Sequence, residues 1–343
     1  SYTVSIRDNN GCTGTVSFTI TQPLIMLAGT IAVTDVKCYG EATGEASLSV
    51  SGGAPPYTFL WNNGQTTQNA TNLAAGNYSV VITDSRNCMI TVNASVSQPD
   101  EAVSATASVV NAACFGESSG SIDLTPSGGV PPYSYLWSNG STTQDIASLA
   151  AGTYTVTITD SNGCIADYTA TVTQPDSPVG GTVISQTTVS CKDGNDATVT
   201  ISGNGGTPPY SYSIDGGSFQ SSGAFAGLAA GTHTAMVRDI NMCTYNFTVT
   251  VTEPAASLSG IIVSQTDVGC FGARTGSVRV QGTGGTSPYN YSIDGGTFRS
   301  SGQFTGLGAG THTIVIRDSR LCLYTLIVTV NQPANPLSVS ATK

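Results

Sequence analysis

Cysteine is the residue type in this chain whose spacing most clearly predicts chemistry. The 343-residue sequence has nine cysteines in two recurring settings. One group precedes a predicted strand, mostly as Cys-aromatic-Gly: Cys38, Cys114, Cys191 and Cys270. The other group follows a predicted strand as Asp-x-x-x-Cys: Cys12, Cys88, Cys164, Cys243 and Cys322. Regular spacing without Cys-x-x-Cys pairs favours disulfides over zinc, and disulfides imply an oxidising, extracellular location.

Two other residue types recur where they could bind metal or move protons. The two histidines, His233 and His312, occupy the same position in two THT segments. No carboxylate or cysteine recurs beside them, so we interpret them as structural hydrogen-bond donors. An aspartate begins each Asp-x-x-x-Cys segment: Asp8, Asp84, Asp160, Asp239 and Asp318. These carboxylates could hold calcium, but such an aspartate more often closes a hairpin turn through its own side chain. No other cofactor is predicted.

The elements that carry these residues recur about every 77 residues, a length that fits one small all-β domain. Gln-Pro or Glu-Pro dipeptides mark the period at Pro23, Pro99, Pro175, Pro254 and Pro333. They predict repeat 1 (23–99), repeat 2 (100–175), repeat 3 (176–254) and repeat 4 (255–333). Residues 1–22 are interpreted as the C-terminal part of a preceding repeat and residues 334–343 as the start of the next. We therefore expect this sequence to be a window from a longer protein.

Within each repeat, Val, Ile and Thr alternate with a period of two, as in TVTITD at 155–160. This pattern predicts strands. For repeat 1 we predict A (29–36), B (45–50), C (57–61), one or two short strands (65–73), F (77–83) and G (89–97). The predicted fold is all-β, a tandem array of small immunoglobulin/fibronectin-like β-sandwich repeats.

Two aromatic positions support this fold. The motif Leu-x-x-Gly-x-Tyr predicts a tyrosine corner at Tyr78 and Tyr154, with His233 and His312 replacing the phenol in repeats 3 and 4. The motif GGVPPYSYLW (128–137) recurs in every repeat, but Ile stands in repeats 3 and 4 where Trp61 and Trp137 stand in repeats 1 and 2. A core tolerates that exchange, whereas a sugar-stacking surface would not. We interpret both tryptophans as core residues and the motif as scaffold.

The spacing leaves the disulfide pairing open. If one strand lies between C and F, the two cysteine loops fall at the same end of a repeat and pairing within a repeat is feasible. If two strands lie there, pairing between neighbouring repeats is favoured. Pairing across the linkers would bend an extended chain back on itself and ranks last. We favour pairing within a repeat, with about 4 kcal/mol from each loop of roughly 50 residues. The predicted bonds are then 38–88, 114–164, 191–243 and 270–322, with Cys12 left for a partner upstream.

Composition excludes several functions. Charged residues make up only 9% of the chain, the net charge is −10, and there is no basic run. Nucleic acids and anionic membranes bind clustered Lys and Arg, so neither is an expected partner. No apolar run approaches the roughly 18 residues of a membrane span. No paired carboxylates or Ser-His-Asp set recur, and Glu41 and Glu117 have no counterpart in repeats 3 and 4, so we predict no enzyme.

The combined motifs resemble the SprB-type repeat of Bacteroidota cell-surface proteins. The resemblance is carried by CFGESSGSIDL (114–124), GGVPPYSYLW (128–137), LAAGTYTVTITDSNGC (149–164) and TQP (173–175). Cys191 departs from the pattern, since it begins CKDGND.

The resemblance implies a segment of a very large adhesin at the bacterial cell surface, attached to the outer membrane and exported by the type IX secretion system. It would form an extended filament or stalk that serves adhesion and, in gliding species, motility. Expected partners are neighbouring repeats and a surface polysaccharide or abiotic surface. The alternative is a set of spacer or carbohydrate-binding modules of a giant secreted hydrolase.

Overall fold

The computed structural model describes residues 1–21 and 25–340, and within them every regular element is a β-strand. The predicted repeat boundary at Pro23 and the last three residues of the sequence lie outside the described residues. The chain forms two compact units: unit 1 contains Ser1–Ala112 and Glu117–Thr173, and unit 2 contains Ala113–Gly116 and Gln174–Lys343.

Unit 1 opens with a hairpin of β1 (Tyr2–Arg7) and β2 (Thr13–Phe18), followed by two six-stranded repeats. In repeat 1 the strands are β3 (Ala28–Thr34), β4 (Gly44–Ser51), β5 (Thr58–Trp61), β6 (Ala70–Leu73), β7 (Gly76–Thr83) and β8 (Met89–Val96). In repeat 2 they are β9 (Ser104–Val110), β10 (Gly120–Ser127), β11 (Ser134–Trp137), β12 (Ile146–Leu149), β13 (Gly152–Thr159) and β14 (Ile165–Val172).

Unit 2 holds two further repeats with the same element order. In repeat 3 the strands are β15 (Gly180–Gln186), β16 (Ala197–Asn204), β17 (Ser211–Ile214), β18 (Ala224–Leu228), β19 (Gly231–Arg238) and β20 (Thr244–Val251). In repeat 4 they are β21 (Ser259–Thr266), β22 (Gly276–Thr283), β23 (Asn290–Ile293), β24 (Gln303–Leu307), β25 (Gly310–Arg317) and β26 (Leu323–Val330).

Each repeat is a sandwich of two three-stranded antiparallel sheets. In repeat 1 the sheet orders are β3-β4-β6 and β5-β7-β8, and the other repeats follow the same plan. The predicted all-β array of immunoglobulin-like sandwiches is confirmed. The strand bounds predicted for repeat 1 differ from those observed by a few residues, and a single short strand, β6, lies between C and F.

The period-two pattern places the core between the sheets. In β13, Val156 and Ile158 are fully buried while the intervening threonines are partly exposed. Pairing with β14 in uninterrupted register, from Gly152 opposite Val172 to Thr159 opposite Ile165, keeps each alternate side chain on one face. Each repeat therefore has its own apolar core cluster.

Candidate functional site: the disulfide-linked junctions between repeats

The two cysteine loops of one repeat lie at opposite ends of its sandwich. The A–B loop that carries Cys38 lies beside the end of β8, since the Val36 amide donates to the Ser97 carbonyl over 2.9 Å. The F–G turn that carries Cys88 lies instead beside the B–C loop, since the Ala54 amide donates to Asp84 Oδ2 over 3.0 Å. Cys38 and Cys88 therefore cannot reach each other.

This arrangement overturns the predicted pairing within a repeat. One strand lies between C and F, which is the case in which pairing within a repeat was judged feasible, but that inference assumed that the chain reverses direction at every connection. β5 pairs antiparallel with β7, and β6 pairs antiparallel with β4. Because β4 and β7 both run away from the A–B end, β5 and β6 run in the same direction. The chain changes sheet between β5 and β6 without turning back, so the F–G turn falls at the end opposite the A–B loop.

The disulfides instead join consecutive repeats, the alternative that the sequence left open. Each bond connects the A–B loop of one repeat to the F–G turn of the next: Cys38–Cys164, Cys114–Cys243 and Cys191–Cys322, with Cα–Cα distances of 5.6, 5.7 and 5.8 Å. Cys38–Cys164 lies in unit 1. The other two bonds lie in unit 2, which includes Ala113–Gly116 and therefore Cys114.

A polar contact accompanies each bond. In unit 1, Asn162 Nδ2 donates to the Lys37 carbonyl over 3.0 Å. In unit 2, Asn241 Nδ2 donates to the Ala113 carbonyl over 3.1 Å, and Arg320 Nη1 donates to Thr188 Oγ1 over 2.7 Å. The donor is always two residues before the F–G cysteine, and the acceptor is one or three residues before the A–B cysteine. Each junction therefore combines a disulfide with a hydrogen bond whose donor always occupies the same position in the F–G turn.

Apolar packing completes the junction in unit 1. Cys164 is only 9% exposed and belongs to the buried core cluster of repeat 2. Cys38, from repeat 1, packs against that same cluster. The disulfide thus extends the core of repeat 2 to the loop of its neighbour.

The aspartate at the start of each F–G turn holds the cysteine in position. In repeat 2, Asp160 Oδ1 accepts hydrogen bonds from the amides of Asn162 and Cys164, both at 2.9 Å. Its Oδ2 accepts from the Val130 amide over 2.9 Å, which ties the turn to the B–C loop. Asp84 and Asp318 are bonded in the same way.

These bonds decide between the two interpretations of the aspartates. Burial favours the neutral carboxyl of Asp160, but the amides of Val130, Cys164 and Asn162 outweigh it and lower its pKa. The Cys88 amide is the main cause of the lowered pKa of Asp84. Each of these carboxylates is surrounded by N–H donors, whereas a calcium site requires oxygen ligands. The aspartates close hairpin turns.

The GGVPPYSYLW motif forms the B–C loop on which the F–G turn rests. Gly129 has φ +59°, and a Cβ there would lie 2.7 Å from Asp160 Oδ2, so a side chain would displace the turn. The Pro131–Pro132 peptide is cis, and the Tyr133 hydroxyl donates to the Gly128 carbonyl over 2.6 Å. The motif is scaffold whose role is to fix the F–G end of the repeat.

The Gln-Pro dipeptide that marks each repeat fixes the other end. Gln98 Oε1 accepts from the Gly40 amide over 2.9 Å, next to Cys38 in the A–B loop. Gln174 and Gln332 bind the corresponding glycine amides in repeats 2 and 4. In repeat 3, Glu253 replaces the glutamine, accepts from the Asp193 amide over 2.7 Å and forms an ion pair with Lys192. The sequence CKDGND, which begins at Cys191 and departs from the Cys-aromatic-Gly pattern, is thus accompanied by a change from Gln to Glu at its hydrogen-bond partner, Glu253.

The corner residues bond to backbone carbonyls four positions upstream. Tyr78 and Tyr154 donate to the carbonyls of Ala74 and Ala150, both over 3.0 Å. His233 Nε2 lies 2.9 Å from the Ala229 carbonyl, and His312 Nε2 lies 3.0 Å from the Gly308 carbonyl. The imidazole occupies the place of the phenol.

Each histidine also has a carboxylate partner, contrary to the expectation of none. Asp215 Oδ2 is 2.6 Å from His233 Nδ1, and Asp294 Oδ2 is 2.7 Å from His312 Nδ1. Hydrogen bonds at both ring nitrogens raise the pKa of each histidine, with Asp215 the larger cause for His233 and the Gly308 carbonyl for His312. A usable signal was present, because YSIDGG occurs only in the two repeats that have the histidine.

The two tryptophans lie in the cores. Trp61 is 1% exposed and Trp137 is 2% exposed. Their indole Nε1 groups donate to the carbonyls of Thr67 and Thr143, both over 2.9 Å.

Three cysteines remain unpaired in the part of the chain that the structure describes: Cys12, Cys88 and Cys270, all exposed. Cys12 and Cys88 are F–G cysteines, and Cys270 is an A–B cysteine.

Across residues 1–21 and 25–340, no cluster of three or more His, Cys, Asp or Glu side chains is placed to hold a metal ion. Over the same ranges, no helix has the length and hydropathy needed to cross a bilayer.

Together, the paired three-stranded sheets and the disulfides between neighbours define a tandem immunoglobulin-like repeat protein. The SprB repeat family model matches the chain at residues 30–66, 106–142, 183–219 and 262–298. The chain is a SprB-type repeat protein, and its disulfides are consistent with an extracellular, cell-surface location. No curated protein matches it.

Three of the solved structures that match this chain are multi-domain segments. The three N-terminal domains of the highly immunogenic outer capsid protein of bacteriophage RB49 are 13% identical, with 66% of this chain and 99% of that chain covered and a TM-score of 0.35. Extracellular domains 3–5 of Drosophila OTK are 12% identical, with 62% and 91% covered and a TM-score of 0.25. The N-terminal eight Ig domains of the Down syndrome cell adhesion molecule are 12% identical, with 96% and 57% covered and a TM-score of 0.25.

Proposed function

We propose that this chain is a load-bearing, non-enzymatic segment of a bacterial cell-surface adhesin. The observation that carries the proposal is that the disulfides join each repeat to the next instead of closing within one repeat. A bond within a repeat would stabilise that repeat alone. A bond between repeats holds neighbours together when the chain is pulled, which is what a segment between a cell and its attachment surface requires.

The residues best suited to acid–base chemistry serve the fold instead. Both ring nitrogens of His233 and of His312 are engaged by a carboxylate and a backbone carbonyl. The F–G aspartates are engaged by backbone amides. These contacts support a structural role for the groups that a hydrolase would use.

The polar outer faces of the sheets supply a surface for adhesion. On β13 and β14 of repeat 2, Thr155 Oγ1 lies 3.1 Å from Thr169 Oγ1, and Thr157 Oγ1 donates to Asp167 over 2.7 Å. Such a row of hydroxyls presents donors and acceptors at strand spacing, which suits the hydroxyl-rich surface of a polysaccharide. Many weak sites of this kind bind tightly when they are linked in one chain. The family resemblance supports export by the type IX system and a role in gliding.

The test is binding of the purified, oxidised protein to surfaces coated with polysaccharides and to bare glass, measured by surface plasmon resonance or quartz microbalance. Saturable binding that is lost in the reduced and alkylated protein is expected. In the variant Thr155→Val/Thr157→Val, binding should fall while the thermal transition stays within a few degrees. Absence of binding to every surface would overturn the adhesive part of the proposal and leave a spacer.

A further inference from the structure

Repeat 4 differs from the other repeats in charge. It contains five arginines, three aspartates and no lysine or glutamate, so its net charge is +2 in a chain whose net charge is −10. Repeat 3 has the same element order but contains two basic and six acidic residues. Three arginines of repeat 4 stand at positions where repeat 3 is neutral: Arg274 for Asn195, Arg279 for Thr200, and Arg299 for Gln220.

The three arginines surround β24, which is an edge strand of its sheet. Arg279 lies on β22 directly opposite Gln303 of β24. Arg299, in the connection between β23 and β24, donates through Nη2 to the Gln303 carbonyl over 2.7 Å. Arg274, in the A–B loop, has its Nε 3.5 Å from the Gly306 carbonyl. The fold thus assembles one exposed basic surface, the β24 surface, from three separate segments of the sequence.

The guanidinium of Arg299 is held in a fixed position. Its Cζ lies 4.0 Å from the centre of the Phe304 ring, and its backbone amide donates to the Tyr291 carbonyl over 2.9 Å. Stacking on an aromatic ring and the bond to Gln303 orient the planar group. An anion that binds the other N–H groups therefore meets donors that are already in place.

The structural part of this arrangement does not require a positive charge. In repeat 3, Gln220 Nε2 donates to the Ala224 carbonyl over 2.9 Å, the bond that Arg299 makes to the Gln303 carbonyl. The neutral amide fills the same place in the same scaffold. The charge of Arg299 is thus surplus to the needs of the fold.

The carboxylates of repeat 4 are bound elsewhere. Asp267 accepts a hydrogen bond from the Asn331 amide, Asp294 is bonded to His312, and Asp318 accepts from turn amides. Within the residues that the structure describes, none of the three arginines of the β24 surface forms an ion pair. The β24 surface therefore presents three cations without a counter-charge from the protein.

A cavity of about 280 Å³ opens beside Arg299. Thr297 and Thr305 contribute hydroxyls to it, and Ile293 and Leu307 contribute apolar walls. Its volume is slightly below the roughly 300–1,000 Å³ of pockets that hold drug-sized ligands, which suits a single ring. A sugar ring carries hydroxyls on its rim and apolar C–H groups on its faces, and so matches this lining.

A neighbouring repeat leaves the equivalent loop position accessible. In repeat 3, Asn195 occupies the place of Arg274, and Cys191 of the same loop is bonded to Cys322 of repeat 4. Asn195 is nevertheless exposed. A bonded neighbour thus does not cover the position that Arg274 holds.

We propose that the β24 surface of repeat 4 binds a carboxylated polysaccharide, with the carboxylate of one uronate unit on Arg299 and those of adjoining units near Arg279 and Arg274. This inference rests on the proposed adhesive function and names a ligand class for it. Guanidinium and carboxylate fit each other through two parallel N–H···O hydrogen bonds. The acidic remainder of the chain repels such a polymer, so binding is confined to repeat 4.

The experiment measures binding of the whole oxidised chain to immobilised polygalacturonate and to its methyl-esterified, uncharged form. The variant Arg274→Asn/Arg279→Thr/Arg299→Gln gives repeat 4 the residues of repeat 3. Its affinity for polygalacturonate should fall by about tenfold or more at low ionic strength, and added salt should reduce the difference. The control Arg7→Gln/Lys37→Gln/Arg86→Gln removes the same charge outside repeat 4 and should change the affinity by less than about threefold.

The converse variant, Asn195→Arg/Thr200→Arg/Gln220→Arg, transfers the surface to repeat 3. Calorimetry with a short galacturonate oligomer should then give two sites per chain in place of one.

Equal losses in the two charge-removed variants, or equal affinity for duplex DNA, would overturn the inference. Equal binding to the charged and esterified polymers would also overturn it but leave adhesion to polysaccharide intact. Absence of binding to both polymers would count against the inference and the adhesive function together.

Discussion

The disulfides between neighbouring repeats should limit how far the chain extends when it is stretched by force. Once the repeats unfold under force, the shortest covalent path between Cys38 and Cys322 sets the maximum extension. That path crosses from Cys38 to Cys164, follows the backbone to Cys191 and crosses again to Cys322. It contains about 27 residues of backbone, which at ~3.4 Å per residue gives roughly 100 Å with the two crossings included.

The alternatives give very different lengths. Without disulfides the same two points are about 284 residues apart, or roughly 970 Å. The pairing within repeats that the sequence favoured would leave about 80 residues of backbone, or roughly 300 Å with its four crossings. The assay is single-molecule force spectroscopy with handles at the two termini, run with and without reductant. Reduction should lengthen the fully stretched molecule by about 870 Å.

A double variant provides the matched control. Cys38→Ser/Cys164→Ser removes one bond, and the shortest path then runs through Cys114–Cys243 and Cys191–Cys322. This path contains about 130 residues, so the oxidised variant should stretch roughly 340 Å further than the oxidised parent. A parent molecule that extends by the amount expected for pairing within repeats, or equally with and without reductant, would refute the reasoning.

Three other perturbations test the parts that position the junctions. Asp160→Ala leaves the amides that the carboxylate binds without a partner, which costs about 1–3 kcal/mol. Dithiothreitol should therefore reduce Cys38–Cys164 faster than the other two disulfides. Equal rates of reduction, measured by mass spectrometry, would contradict this. Trp137→Ala should lower the free energy of unfolding of repeat 2 by about 3–5 kcal/mol. Trp137→Ile should lower it clearly less, because repeats 3 and 4 have Ile at this position. Equal melting curves for the two variants would count against a core role for Trp137. The pKa of His312 is raised, so its hydrogen bonds should stabilise repeat 4 fully below about pH 6.5 and lose that contribution as the pH rises through the pKa of the folded state. In the variant His233→Tyr, NMR titration of His312 should report a pKa above about 6.5. A lower pKa would refute hydrogen bonding at both ring nitrogens of His312.

The sequence was sufficient for the strands and their spacing because alternation along each strand is a local property. In β13, for example, the buried Val156 and Ile158 alternate with threonines that are at least partly exposed, and this apolar–polar alternation can be read directly from the sequence. The hairpin role of Asp160 and the corner role of Tyr154 were likewise predictable, since each bonds to backbone within four residues.

The disulfide pairing was not predictable in this way. It depends on the direction of β6 relative to β5, which is set by which of two sheets the short strand joins. No local pattern in 62–69 reports that choice. The partner of His312 was missed for a related reason, because Asp294 is 18 residues away in sequence and reaches the histidine only across strands β23 and β25.

The three disulfide loops overlap along the chain, since each begins before the previous one ends. Every peptide bond between Cys38 and Cys322 therefore lies inside at least one closed loop. A protease that cuts any one of these bonds opens a ring but releases no fragment, because a second covalent route joins the two sides of the cut. The stretches 114–164 and 191–243 lie inside two loops at once. Over this span, a protein exposed to enzymes in its surroundings can be nicked once anywhere and remain a single molecule.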